Sequence, residues 1–186
     1  TKNWNQLIIL SDKAYNKKII SIDTSNENKS IGYYEIDKIK LESDLKDASS
    51  KIIKAINLKN NFPPYIDLHL DIISKSNNIS LLKKMIKKYW YSSPNNTLRS
   101  VIVKSVIENQ LDEMSFIYQV IKSNNGNEES KKMLIFFAIK NQNWKVAREN
   151  IEGLIGPNPS REICHYMADI ELGEHNDKQK SDSWML

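Results

Sequence analysis

Few side chains in this sequence are of a type that binds metals or attacks substrates. The histidines are His69, His165 and His175, and Cys164 is the single thiol. Cys164 and His165 are neighbours on a predicted helix and so point to different faces, whereas metal ligands must converge on one point. Cys164 shares a stripe with Met167, Ala168 and Glu171, which gives it the role of a small core residue. His165 faces the opposite way, where an imidazole can serve as an axial haem ligand or stand as an ordinary surface histidine. Nucleophilic catalysis lacks a setting. There is no Gly-x-Ser-x-Gly turn, and the serines sit in linkers, as in Ser92-Ser93 or Ser181 and Ser183. Gly32, Gly126, Gly153, Gly156 and Gly173 make neither a dinucleotide fingerprint nor a P-loop. Gly153 and Gly156 read as helix-ending residues before Pro157. Asp67 and Asp71 form a carboxylate pair at i, i+4, the spacing of one helix face turned to solvent or to a basic group of a ligand. No catalytic residue, no metal site and no obligatory cofactor is expected; the chain reads as a non-enzyme.

The elements that must position these residues repeat. Asn143-Trp144-Lys145-Val146-Ala147-Arg148 leads to Ile151 and Leu154 and closes on Pro157 and Pro159. The same grammar starts at Asn3-Trp4, Ser43-Asp44, Asn78-Ile79, Gln110-Leu111 and Asn176-Asp177. Taking Leu7, Ala48, Leu82, Met114, Ala147 and Lys180 as the matching packing positions, the spacings are 41, 34, 32, 33 and 33. Between them run segments with helical i, i+3, i+4 periodicity, at roughly Ser30–Glu42, Pro64–Lys75, Asn96–Glu108, Glu128–Lys140 and Ser160–Leu172. Pro64 suits a first helical turn and Ser160 an N-cap. A helix–turn–helix unit of ~34 residues repeating without strands is the signature of a tetratricopeptide-type α-solenoid. The expected fold is therefore all-α, a single array of about five and a half antiparallel helix pairs with units near 1–28, 29–63, 64–94, 95–127, 128–159 and 160–186. The long first spacing is expected to contain a mobile loop around Ile22 to Asn28. The apolar end Trp184-Met185-Leu186 is expected to lack a polar cap.

Composition agrees with helices. In 186 residues there are 5 Gly and 5 Pro, too few for the turns of a β sandwich or barrel. Only Arg99, Arg148 and Arg161 among the 27 basic residues are arginines. The net charge of +4 thus comes from lysine, a point charge without the planar fork that reads phosphates and base edges. Solvated helix surfaces account for it, and no nucleic-acid partner is expected. The longest apolar run, Met133 to Ile139, falls far short of the ~20 residues of a membrane span. The sequence begins at Thr1 rather than Met, as expected of a processed or excised part of a longer protein.

In such an array the fifth and ninth positions of each first helix line the concave face. Here they are Tyr33 and Asp37, Asp67 and Asp71, Arg99 and Val103, Lys132 and Phe136, and His165 and Asp169. The row passes from acidic to basic and aromatic, which suits an extended peptide or an amphipathic helix with separated charges. A solvated face without a ligand is the other reading.

The stretch Asn143 to Ile151, then Pro159 to Glu171, Gly173 to Asp177 and Trp184, resembles the C-terminal repeats of the proteobacterial HemY-type tetratricopeptide proteins. Trp90 to Leu98 is similar to that family's short Pro-containing turn, and Asn3-Trp4 to its opening repeat. The resemblance implies a bacterial inner-membrane parent associated with late haem biosynthesis, anchored by segments before Thr1, with this chain as its soluble domain facing the cytoplasm. It supplies no catalytic residues, and Ser92-Ser93-Pro94-Asn95 lacks a histidine expected in many relatives. The function expected is a scaffold that holds a partner protein in the groove. The alternative is direct haem or porphyrin binding through His165 with Tyr33 or Tyr166.

Overall fold

The computed structural model describes residues 3–40 and 45–185, with side chains described for all but 45–48. Eleven α-helices and no strand occur among them: α1 (Trp4–Asn16), α2 (Ile22–Lys40), α3 (Leu45–Leu58), α4 (Pro63–Lys75), α5 (Ile79–Ser92), α6 (Asn96–Glu108), α7 (Met114–Ile121), α8 (Glu128–Lys140), α9 (Trp144–Ile151), α10 (Arg161–His175) and α11 (Lys178–Trp184). Every segment expected to be helical is one over its described residues; residues 41 and 42 of the first lie outside them. No described helix is long and apolar enough to cross a membrane.

The chain divides into two compact units, Thr1–Ser92 and Ser93–Leu186. In unit one, α1 to α4 each pack on the next helix in the chain, and α4 packs on α5. Its core gathers Ile52, Tyr65, Ile66, Leu70, Leu82, Ile86 and Trp90. In unit two, α8 is the hub, touching α6, α7, α9 and α10, and α10 packs on α9 and α11. Ile135, Ala138, Ala147, Ile151, Ile163, Met167 and Ile170 form one buried cluster there.

The turns carry the repeat more clearly than the apolar residues do. Between α4 and α5, α6 and α7, α8 and α9, and α10 and α11, one residue takes the left-handed conformation: Asn77, Gln110, Gln142 and Asn176. A residue so placed lets the last carbonyls of one helix accept N–H groups from the turn, as Leu111 donates to Val106 and Asn143 to Ala138. After three of these turns the next helix starts on a side-chain cap, whereas α7 has none at Glu113. Asn143 accepts from Val146 and Asp177 from Lys180, and Asn78 accepts from Leu81.

Some local expectations change. Gly153 and Gly156 do follow the end of α9 at Ile151, but neither has positive φ. Gly153 lies in a 3-10 turn after α9 instead. The loop expected at Ile22 to Asn28 is the start of the 19-residue α2. Ile22 apart, residues 22–28 are polar, but none of them is Pro or Gly, and Ser21 Oγ accepts from Thr24 N to start the helix. Leu82 and Ala147 are fully buried packing residues, whereas Lys180 is exposed and Ser181 is buried in its place. The side chain of Ala48, and Leu186, lie outside the described residues.

Candidate functional site

Unit two contains a cleft of about 770 Å³. One wall is α6, with Asn96, Arg99, Ser100, Val103 and Lys104. Phe136 comes from α8. The other wall is α10, with Arg161, Glu162, His165, Tyr166 and Asp169. Five positions read from the repeat register (Arg99, Val103, Phe136, His165 and Asp169) therefore line one space. Arg99 and Val103, and likewise His165 and Asp169, stand four residues apart on one helix, and helical neighbours at that separation share a face.

Arg99 and Lys132 are in place but are not the open basic surface expected. Both are buried, at 7% and 9% exposure. Arg99 Nε bonds Glu129 at 2.8 Å and its Nη2 bonds Glu162 at 2.6 Å. Lys132 Nζ reaches Glu128 at 2.6 Å, Glu129 at 3.1 Å and Glu162 at 3.7 Å. Three helices are thus joined by two cations and three carboxylates. Burial alone would lower the basicity of Arg99, but hydrogen bonds and charge from Glu162, with Glu129, turn the net shift upward. Lys132 is likewise raised, with Glu128 and Glu129 outweighing its desolvation. The charges are spent on one another, because a cation buried this far requires carboxylate partners. Helical spacing could have signalled two of these, since Glu128 and Glu129 stand four and three residues before Lys132.

Tyr166, considered as a haem contact, is also engaged. Arg99 Nη1 donates to its oxygen at 3.2 Å, and its hydroxyl donates to Glu162 at 3.0 Å. Desolvation pushes its hydroxyl pKa upward. His165 is half-buried, and its Nε2 accepts from Arg161 Nε at 3.3 Å. Desolvation raises the Asp169 carboxyl against the pull of His165, although its side chain still reaches solvent. Cys164 is half-buried rather than a core residue. Its Sγ lies 3.9 Å from the Pro159 carbonyl, beside a smaller cleft of about 410 Å³ that also touches Arg161, His165 and Trp184.

The four remaining candidates belong to unit one. Tyr33 is half-buried with Lys54 Nζ 5.7 Å from its ring centre. Asp37 has no exposed surface, so an incoming ligand does not reach it where it stands. Asp67 is half-buried, and Asp71 pairs with Lys75 at 3.8 Å. Helical register alone could not tell Asp37 from its exposed counterparts. No group of three or more His, Cys, Asp or Glu side chains able to hold a metal occurs among the described residues. Comparison with family models, with curated proteins and with solved structures finds no match to this chain.

Proposed function

We propose that the chain is a tetratricopeptide-like α-solenoid that acts without catalysis, and that the unit-two cleft holds an extended segment of a partner protein. The observation that carries this reading is the convergence of Val103, Phe136, His165 and Asp169 on one 770 Å³ space beside the Arg99–Glu129–Glu162 lattice. The lattice supplies a rigid wall, so a ligand need not order it. The cleft itself mixes an apolar floor with exposed polar side chains, the composition that orients a peptide while burying one of its side chains. The resemblance to HemY-type proteins adds a membrane-anchored parent in haem biosynthesis to this proposal. The peptide reading does not require that parentage.

The test is selection of random linear peptides on the intact chain, with Val103→Trp as the counter-selection because an indole there fills the cleft. Peptides that bind the wild type and lose affinity for V103W support the reading. Selected peptides that bind both equally overturn it. A Soret shift at micromolar haem that is lost in His165→Ala would put a porphyrin in the peptide's place.

A further inference from the structure

The chain has only three arginines, and the structure uses two of them in the same way. Arg99 is held by Glu129 and Glu162. Arg148 is held by Glu171 at 3.0 Å and by Glu174 through its Nε. Each guanidinium fork thus meets two carboxylates. Arg161 is the exception. It is exposed on the wall of the main cleft, and its one side-chain hydrogen bond among the described residues is the donation from Nε to Nε2 of His165. Among the described residues no carboxylate stands within ion-pair distance of it.

Stability does not account for this placement. Arg161 is the first residue of α10, where the helix dipole disfavours a cation and favours an acid. Glu162 beside it does occupy that end, but turns to Arg99 and Tyr166. The two terminal nitrogens of Arg161 are left to meet an oxyanion in the planar, bidentate geometry for which arginine is suited. Lys104 contributes a second positive charge across the cleft from α6, and Asn96 and Ser100 add polar groups to the same wall.

We propose that Arg161 is the anchor for an acidic side chain, an Asp or Glu carboxylate, within the peptide that occupies this cleft. An apolar residue nearby in that peptide then packs on Phe136 and Val103. The assignment rests on the peptide reading of the cleft and adds the chemistry that is recognised. His165 has a defined part in it: while it accepts from Arg161 Nε, it holds the fork by that edge and leaves both outer nitrogens open to a ligand.

The peptides used are displayed internally, so that neither terminus is free, and are selected against the wild type with V103W as the counter-selection. The best one is then synthesised with Glu, Gln or phosphoserine at its acidic position. Affinities are measured by fluorescence anisotropy against the wild type and Arg161→Gln. The wild type is expected to bind the Glu form about tenfold more tightly than the Gln form, a coupling of about 1.4 kcal/mol. R161Q should bind both alike. Tighter binding of phosphoserine that is lost in R161Q keeps the oxyanion anchor and makes phosphate its source. Equal binding of Glu and Gln by the wild type overturns the anchor, as does discrimination retained by R161Q. In those two cases the cleft still stands if V103W abolishes binding. Peptides indifferent to V103W remove both readings together.

Discussion

The two units bury polar groups in opposite ways. Asp37 apart, the polar groups that unit one buries among its described residues are neutral. His69 Nδ1 lies 2.5 Å from the Tyr89 hydroxyl and Ser30 Oγ lies 3.0 Å from that of Tyr65, all buried. Its Lys59–Glu27 pair remains on the surface. Unit two puts charge inside, with Arg99 and Lys132 tied to Glu129 and Glu162 across α6, α8 and α10. A buried neutral pair fails when it gains a proton. A buried ionic lattice fails when it loses a member. The units should therefore respond to different insults, and peptide-resolved hydrogen exchange can follow each separately.

The largest effect is expected from Arg99→Ala. It leaves Glu129 and Glu162 without their principal partner, and breaking a buried pair this way costs about 3–5 kcal/mol. Amide exchange should accelerate throughout α6, α8 and α10 while unit one is unaffected. If exchange accelerates no more there than for an ordinary surface substitution, the lattice is not what ties these helices.

Unit one answers to pH. Desolvation, with Lys88 nearby, lowers the pKa of His69 from the ordinary 6.5 to about 4. The unfolded chain then binds more protons than the folded one between those values, so stability rises with pH in that interval. The contribution is fully present above 6.5 and is lost as pH falls from 6.5 towards 4, by ~3 kcal/mol. Unfolding of unit one followed at several pH values should show this loss, and His69→Gln should flatten it. A pH profile unchanged by H69Q would remove His69 as its source.

Each unit also has one glycine under a large neighbour. A Cβ on Gly173 would stand 2.2 Å from the Trp144 ring, and one on Gly32 would stand 2.7 Å from Ile8 Cγ1. The indole is a rigid plate, while the Ile8 side chain can rotate, leaving the Trp4 carbonyl at 3.3 Å as the fixed neighbour. Gly173→Ala should destabilise unit two by about 1–3 kcal/mol through overpacking. Gly32→Ala should stay within about 1 kcal/mol of the wild type, because the helix propensity of alanine offsets the crowding. Urea midpoints of the two variants decide it, and equal losses would erase the distinction.

The sequence exposed the periodic part of this architecture and concealed the part that depends on pairs. Trp144, Ala147 and Ile151 repeat at helical spacing, so the helices could be read directly, although the start of α2 could not. The same register placed Val103, Phe136, His165 and Asp169 on one cleft, because a helix face is a local property. Arg99 and Lys132 looked like open charges because Glu162 lies 63 residues beyond Arg99 on a different helix, and no periodicity links them. Asp37 was unreadable for a related reason: burial depends on what packs against α2, not on its place within α2. The turns at Gln110 and Gln142 were legible, but not their left-handed backbone, since glutamine is not the residue usually associated with such a helix end.

The smallest effect should come from a pair that looks strong on distance alone. Lys59 Nζ stands 2.7 Å from Glu27, with 40% and 56% of the two side chains exposed. Their hydrogen bond lowers the Glu27 carboxyl and raises the Lys59 amine. Water and salt screen charges this exposed, and holding two long side chains together costs entropy that offsets the attraction. Lys59→Met also keeps an aliphatic stem beside Phe62, whose ring centre lies 4.8 Å from the ammonium. Unit-one exchange in K59M should therefore match the wild type at both low and high salt. A loss approaching that of Arg99→Ala would mean that an exposed pair can bear the same weight as a buried one, and the contrast between the units would not hold.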